Sequence, residues 1–478
     1  MTGPTRGTPP RANAGEEILL GLGRTVWAFR VELGILGILA SAWAVGTWLL
    51  LERPGPHALP DALDSPAFGD AAQPAAVMIA ALAVAALMFR PTRRGLGGVL
   101  ARASTRRRLL RALTRIDLPV LRDRIVRVVK ITRTAAGWRA RLLLPPGAAA
   151  DDLDKAAERI AVAMRLRLVT VTRDRHDAAL IEVRLDVRDP LAGPPLPWAW
   201  QDFPATELRR PVPVAIDEHG ELVSIELTER NLLLGGEPGA GKSNALQALT
   251  AAAALDPTVR LHLFDGKLVE LATWAPLADT VIGPDPRAAA EALTGLRQIM
   301  DSRYRDLLAR GQRKISAGDG LPLHVVVIDE LALFVNTGDK KLDGEIANQL
   351  RDLVSRGRAA GVIVLAATQK PSADVIPSHI RDLFSTRWAM RCATPQASDT
   401  ILGQGWAIAG YSAANIDAAQ RGVGYLLAEG DTPTRCRAFY LSDTDLTALA
   451  ARATGIRAKA PGHGPVGPTQ TEDSGTDL

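Results

Sequence analysis

Short apolar runs separated by segments of helical length dominate the chain from about residue 200 to residue 445. Their length and continuous apolar character are typical of strands buried on both faces of a sheet. The runs are LVSIEL (222–227), NLLLGG (231–236), VRLHLFD (259–265), LHVVVID (323–329), GVIVLAAT (361–368) and TRWAMRC (386–392). The Ala- and Leu-rich segment that follows NLLLGG, residues 243–255, favours a helix. This alternation predicts an α/β domain over residues 198–453.

A smaller module is expected upstream, over residues 117–187. Residues 125–147 and 168–187 alternate like two hairpins, and residues 151–166 between them have an acidic first turn and helical spacing. The Pro- and Gly-rich stretch 188–197 closes this α+β module. At the other end of the chain, the composition of residues 454–478 predicts a disordered tail.

Two nineteen-residue segments without a charged residue, 33–51 and 71–89, are each long enough to cross a bilayer as a helix. They predict a transmembrane hairpin over residues 33–89, although a buried core hairpin remains an alternative. Arginines flank the hairpin and acids dominate its loop, so the positive-inside rule places both termini in the cytoplasm. We therefore expect a two-span plasma-membrane protein with a cytoplasmic N-terminal tail, residues 1–32.

The net charge of the 478-residue chain is only +5, but the charge is unevenly distributed. Residues 90–141 contain sixteen Arg or Lys against two Asp. This predicts an anionic partner, either lipid headgroups or nucleic acid, with an ordinary solvated face as the alternative. Residues 90–116 are predicted to form a basic juxtamembrane helix. The two cysteines, Cys392 and Cys436, have no metal-ligand spacing and indicate a reducing compartment.

The strand NLLLGG runs directly into a Gly-x4-Gly-Lys-Ser pattern, the signature of a phosphate-binding loop. The glycines let the backbone curl around phosphates, Lys242 would reach the β- and γ-phosphates, and the Ser243 hydroxyl would take a Mg²⁺ position. A Gly-rich turn is the alternative. The predicted nucleotide-binding residues are Gly236, Glu237, Pro238, Gly239, Ala240, Gly241, Lys242, Ser243 and Asn244.

Two adjacent carboxylates, Asp329 and Glu330, end the buried strand LHVVVID. With a phosphate-binding loop upstream, Asp329 is expected to hold Mg²⁺ through its water shell and Glu330 to orient and polarise the attacking water. Adjacent acids without a function are the alternative. Gln369, at the end of the next strand, is placed to sense a γ-phosphate. The pattern predicts an ATPase with an extra strand between the two motifs.

In this order and spacing, several runs resemble the FtsK/SpoIIIE family of double-stranded DNA translocases over residues 200–445. The matching runs are GGEPGAGKS (235–243), LFDGKLVEL (263–271), SRYRDLLARGQRKISAG (302–318), VVVIDELALFV (325–335), GRAAGVIVLAATQKPS (357–372), VIPSHIRDLFSTRWAMRC (375–392) and SDTILG (398–403). The module at 117–187 looks like the small domain that precedes the motor in this family. The compact layout is most similar to plasmid and integrative-element transfer proteins of mycelial actinobacteria.

The resemblance implies a RecA-like motor that assembles as a ring, usually a hexamer, with nucleotide at the subunit interfaces and DNA in the pore. A neighbour's arginine would complete each site. Arg358 is the first choice and Arg387 the second, with a helix C-terminal cap as the alternative role of Arg358. Arg313 and Lys314 are candidates for pore contacts, although they could equally form a solvated loop.

The first functional hypothesis is a membrane-anchored, ATP- and Mg²⁺-dependent motor that moves double-stranded DNA in conjugative transfer, or in chromosome segregation. The second is a protein-secretion ATPase of type VII. The third, a nucleotide-binding scaffold without catalysis, is disfavoured by the intact Lys242, Asp329, Glu330 and Gln369. Too little sequence follows CRAFYLSD (436–443) for a winged-helix reader, so any choice of DNA is expected to come from a separate partner.

Overall fold

The structure is a computed structural model that describes residues 90–116, 126–203, 205–372, 378–428 and 430–459. The predicted N-terminal tail and transmembrane hairpin, residues 1–89, lie outside this part of the chain, as do residues 460–478 of the predicted disordered tail. None of the helices in the described ranges is both long and apolar enough to span a bilayer. The chain divides into two compact units, Met1–Arg188 and Asp189–Leu478.

The described residues of the first unit form a four-stranded antiparallel sheet with helices on one face, in the strand order β1-β2-β4-β3. Both predicted hairpins are confirmed, whereas the single helix predicted over 151–166 is two shorter helices. The elements are α1 (Arg90–Arg115), β1 (Arg127–Arg133), β2 (Gly137–Leu143), α2 (Ala150–Asp154), α3 (Ala157–Met164), β3 (Leu168–Arg173) and β4 (Leu180–Asp186).

The core of this unit follows from the two-residue period of its strands. Alternate side chains of β2 and β4, such as Leu142 and Val183, are fully buried and pack with Ile160 of α3. Leu109 and Leu113 of the basic helix α1 belong to the same core. The apolar stripe at the C-terminal end of α1 is therefore covered by the module itself, and contact of its basic residues with lipid stays a prediction.

The second unit is a mixed α/β domain around one large sheet. Its strands are β5 (Val212–Asp217), β6 (Leu222–Ile225), β7 (Leu232–Gly235), β8 (Val259–Phe264), β9 (Thr280–Ile282), β10 (Leu323–Ile328), β11 (Val362–Thr368), β12 (Thr386–Met390), β13 (Val423–Leu427) and β14 (Thr434–Ala438). Its helices are α4 (Lys242–Ala254), α5 (Pro286–Ala309), α6 (Leu331–Val335), α7 (Lys340–Ala360), α8 (Ser378–Arg381), α9 (Pro395–Leu402) and α10 (Asp443–Arg457).

The described strands of this sheet follow the order β6-β5-β14-β13-β12-β7-β11-β10-β8-β9. The six strands from β12 to β9 are parallel, and the pairs from β12 to β6 are antiparallel. All six strands that the apolar runs predict are present. β11 lies between β7 and β10, which confirms the extra strand expected between the phosphate-binding loop and the two acids.

The domain ends later than the sequence predicts, because α10 continues to Arg457 rather than stopping at residue 453. The Arg457 guanidinium is buried and donates hydrogen bonds to the carbonyl oxygens of Ala254 and Val259, at 2.8 and 3.0 Å. These contacts bind the last turn of α10 to the end of α4. The start of the tail predicted at residue 454 is therefore wrong by four residues.

Candidate nucleotide-binding site

The predicted phosphate-binding loop connects β7 to the first turn of α4. Gly239 and Gly241 have φ angles of 75° and 108°, in the left-handed region that glycine adopts at little cost. Space is a second constraint at Gly241, since an added Cβ would lie 2.7 Å from the Cα of Gly422. The loop thus places the amino end of α4, which favours anions, beside an open cavity.

Lys242 is the first residue of α4, and its side chain lies back across the loop. Its ammonium group donates hydrogen bonds to the carbonyl oxygens of Gly236 and Glu237, both at 2.7 Å. Burial lowers the pKa of Lys242 to about 8, although the negative charge of Glu330 opposes that shift. A buried cation held only by carbonyl oxygens gains from a nearby phosphate.

Three other residues of the predicted loop act as anchors. Glu237 forms an ion pair with Arg391 at 3.0 Å, and the carbonyl oxygen of Ala240 accepts from the Gly422 amide at 2.9 Å. The Asn244 side-chain oxygen accepts a hydrogen bond from the Leu441 amide at 2.8 Å. These contacts hold the loop against the strands β12 to β14, whereas Pro238, Gly239 and Ser243 line the open cavity.

Asp329 lies directly after β10 and is 7% exposed. One carboxylate oxygen, Oδ1, accepts from the Gly266 amide at 2.9 Å, and the other is buried without a hydrogen-bond partner among the described residues. Burial raises the pKa of Asp329 to about 6. Ser243 and Asp329 line one narrow crevice, so an orphaned carboxylate oxygen and a hydroxyl are available to a single cation. This arrangement fits Mg²⁺, which prefers few protein oxygens and completes its shell with water and phosphate.

Glu330 and Gln369 come together at the same edge of the sheet. The Glu330 carboxylate accepts hydrogen bonds from the Thr368 hydroxyl and from the backbone amide of Gln369, each at 2.9 Å. The same carboxylate also accepts from Ala332 at the start of α6. Since the carboxyl ends of β7, β10 and β11 meet here, Lys242, Asp329, Glu330 and Gln369 are gathered as the motifs predict.

The cavity beside the loop has a volume of about 650 Å³, within the range of small-molecule sites. Four cations and one carboxylate line it, an excess of positive charge that suits a polyphosphate: Lys242, Lys267, Arg421, Arg437 and Glu270. Pro195, Phe439 and Tyr440 add apolar surface. Apart from Lys242, the sequence did not predict that these charged and apolar residues line the cavity. Only Lys267 had a signal, since it follows a strand of the parallel sheet.

The two candidate finger arginines lie at the opposite edge of the sheet. Arg358 is in the last turn of α7, just before β11, and Arg387 is the second residue of β12. Both strands run parallel to β7, so neither residue is at the edge that carries the phosphate-binding loop. They line one cavity of about 630 Å³. Arg387 also donates to the Phe384 carbonyl at 3.0 Å and pairs with Asp382 at 3.5 Å.

Arg313 and Lys314 are exposed on the connection between α5 and β10. This connection precedes β10, so it too lies at the edge away from the phosphate-binding loop. The structure does not bring these residues into the nucleotide site, and a contact with DNA remains a prediction.

Comparison with known proteins agrees with this arrangement. Residues 198–404 match the family model of FtsK/SpoIIIE. The DNA translocase FtsK of Staphylococcus epidermidis is 29% identical over 266 residues, which cover 49% of this chain and 31% of that protein. FtsK of Corynebacterium glutamicum is 32% identical over 216 residues, covering 40% of this chain and 23% of the relative. The chain thus matches about a quarter to a third of the length of these relatives.

Among solved structures, the monomer form of the pCW3 conjugation coupling protein TcpA with ATPγS covers 73% of this chain and 98% of its own, at 18% identity and a TM-score of 0.47. The type VII secretion ATPase EccC of Thermomonospora curvata covers 54% of this chain and 31% of its own, at 21% identity and a TM-score of 0.45. Structural likeness at this level carries no conclusion about activity. The phosphate-binding loop, the two acids and the family match together show that residues 198–404 form an ATPase domain of the FtsK/SpoIIIE family.

Proposed function

We propose that this chain is a membrane-anchored motor that hydrolyses ATP to move double-stranded DNA. One observation carries the proposal: Lys242, Asp329, Glu330 and Gln369 meet at one edge of the sheet in a domain of the FtsK/SpoIIIE family. These are the residue types that phosphoryl transfer to water requires, namely a phosphate cation, a metal carboxylate, a water-orienting acid and a polar sensor.

Each residue has a defined part in this chemistry. The loop 236–243 cradles the triphosphate, and Lys242 exchanges its two carbonyl contacts for the β- and γ-phosphates. Ser243 and Asp329 would hold Mg²⁺, which would neutralise charge on the phosphates when bound. Glu330 orients and polarises the attacking water, and Gln369 contacts the γ-phosphate.

The motor is proposed to work as a ring, as a hexamer, with Arg358 of one subunit completing the site of the next. The position of Arg358 supports this assignment, because the opposite edge of the sheet is out of reach of its own phosphate-binding loop. Arg387 is the second candidate, and its guanidinium donates to the Phe384 carbonyl and pairs with Asp382. DNA as the substrate is supported by relatives that are named DNA translocases.

The membrane anchor rests on the two apolar segments, 33–51 and 71–89, and on the basic helix that follows them. Both termini would be cytoplasmic, so the motor domain would act on cytoplasmic DNA. We propose conjugative transfer as the process, with chromosome segregation as the alternative, and a separate partner that selects the DNA.

The direct test is ATP hydrolysis by the full-length chain in lipid nanodiscs, with and without long duplex DNA. We expect turnover that rises several-fold with duplex DNA, together with displacement of a third strand from a triplex on the same DNA. Lys242→Ala should abolish both. ATP turnover that does not change when duplex DNA is added would contradict a DNA motor. Turnover that rises only with an added protein substrate would contradict it as well and would favour a protein-secretion ATPase.

A further inference from the structure

A seven-residue connection after β8, residues 265–271, passes beside the nucleotide cavity and is fixed at both ends. Asp265 is buried, and its carboxylate accepts hydrogen bonds from the amides of Lys267 and Leu271. The Glu270 carbonyl oxygen accepts from the Gln247 side chain of α4. The connection is therefore bound to the helix that begins at the phosphate-binding loop.

The same connection contacts the predicted metal ligand. The Gly266 amide donates to the Asp329 carboxylate at 2.9 Å, and the next residue is Lys267. Leu268 follows with a φ angle of 62°, a left-handed conformation that a residue with a Cβ adopts only when its surroundings impose it. The backbone on both sides of Lys267 is thus positioned by contacts and not by local preference.

The side chain of Lys267, in contrast, is exposed and makes no hydrogen bond or ion pair with any part of the chain that the structure describes. It lines the 650 Å³ cavity together with Lys242, and it also lines the crevice that contains Asp329. Its charge acts on both residues. Burial lowers the pKa of Lys242 against the opposing charge of Glu330, and the charge of Lys267 adds to that lowering. The same charge opposes the rise in the pKa of Asp329 that burial causes.

Two lysines that face one cavity repel each other unless an anion lies between or beside them. The position of Lys242 in the loop accounts for the first cation, whereas the side chain of Lys267 has no hydrogen bond or ion pair within the described residues that would account for the second. The crevice that Lys267 shares with Ser243, Asp329 and Gln369 is where the terminal phosphate would lie, if the phosphate-binding loop holds a triphosphate as proposed.

We propose that Lys267 is a second phosphate-binding cation of this site. It contacts the terminal phosphate of ATP from the connection after β8, while Lys242 contacts the same phosphate from the phosphate-binding loop. The inference rests on the proposed ATPase function. It has a specific consequence, because ADP lacks the terminal phosphate. Lys267 should strengthen the binding of ATP more than that of ADP, so that the connection after β8 distinguishes the two nucleotides.

The experiment compares Lys267→Gln with the parental full-length chain, by calorimetric titration of Mg²⁺–ATPγS and of Mg²⁺–ADP. A charge-assisted contact to phosphate predicts an ATPγS affinity about tenfold or more lower, with the ADP affinity within about twofold of the parent. Lys267→Arg should restore much of the ATPγS affinity. Lys340→Gln, which neutralises an exposed lysine at the start of α7, serves as the matched control and should change neither affinity.

The outcomes separate this inference from the proposed function. An equal loss of both affinities in Lys267→Gln would show that the residue only supports the loop, and an unchanged preference for ATPγS would show that it does not contact the terminal phosphate. Either result overturns the inference and leaves the ATPase proposal standing. Failure of the parental chain to bind either nucleotide would instead overturn the proposed function.

Discussion

The Glu330 carboxylate and the backbone amide of Gln369 are joined by a 2.9 Å hydrogen bond between the ends of the neighbouring strands β10 and β11. The Thr368 hydroxyl donates to the same carboxylate. The residue proposed to orient water is therefore held by the strand that carries the proposed phosphate sensor. We therefore expect a shift of Gln369 on binding a γ-phosphate to alter the orientation of Glu330.

Glu330→Gln should leave ATP binding intact and slow hydrolysis by about a hundredfold or more. The amide keeps the size of the side chain but loses the charge that polarises water, and the phosphate cradle is untouched. Nucleotide titration and steady-state turnover measure the two effects separately. Lys242→Ala is the counterpart that should weaken binding itself. Parental turnover in the Gln variant would remove Glu330 from its proposed role.

Thr368→Val should reduce kcat by about tenfold while KM for ATP changes little. The substitution preserves shape but removes a hydrogen bond to a charged group, so Glu330 loses part of its orientation. Thr386→Val is a matched control: Thr386 is fully buried in β12 of the same sheet, and its hydroxyl has no hydrogen-bond partner in the part of the chain that the structure describes. Equal kcat losses in the two variants would mean that the effect is one of packing.

Arg358→Ala should abolish turnover in a homogeneous assembly, but mixing it with Lys242→Ala subunits should restore part of the activity. The expected reason is that a competent site takes Lys242 from one chain and Arg358 from its neighbour. Turnover is measured against mixing ratio in assemblies shown to contain both variants. Absence of rescue would contradict an arginine supplied between subunits.

Replacing both Arg313 and Lys314 with Ala should weaken duplex binding about equally for all sequences. Each lost phosphate contact lowers the slope of log affinity against log salt by about one, so a reduction of about one to two is expected. Binding is measured by fluorescence anisotropy between low and moderate salt. The double control Lys340→Gln with Lys341→Gln removes the same charge from an exposed helix start. An unchanged slope in the Arg313 and Lys314 variant would exclude these contacts.

The ATPase domain should lose stability as the pH falls below about 6.5. His262 of β8 and His324 of β10 are buried and hydrogen-bonded to each other at 2.9 Å. Burial lowers the pKa of His262 to about 4 and that of His324 to about 3, so the unfolded chain takes up protons that the folded chain excludes. At pH 5 each imidazole would cost about 2 kcal/mol of unfolding free energy.

Urea titrations at several pH values measure this dependence. The variant with Gln at both positions should flatten the dependence between pH 7 and pH 5, whatever its stability at pH 7. If the parental chain and this variant lose stability in parallel, other groups are responsible.

Several features were determined by the sequence alone. The apolar runs identified six strands of the ATPase domain, because strands buried on both faces need continuous apolar side chains. The phosphate-binding loop and the two acids were recognisable because their chemistry depends on local spacing. Parallel strands bring their carboxyl ends to one edge of the sheet, so the sequence alone predicts that Lys242, Asp329 and Gln369 lie close together.

Other features were decided only by tertiary structure. Strand β13 contains Gly424 in place of an apolar side chain, which hides the strand in the sequence. In the folded domain an added Cβ at this position would lie 2.7 Å from the carbonyl oxygen of Ala389 in β12. Arg437 reaches the cavity from an antiparallel strand and binds the Leu191 carbonyl, 246 residues away. Such contacts join residues distant in the chain, and no local pattern encodes them. Lys267 lies between these cases: its position after a strand is visible in the sequence, but its unpaired charge beside Lys242 is a property of the folded domain.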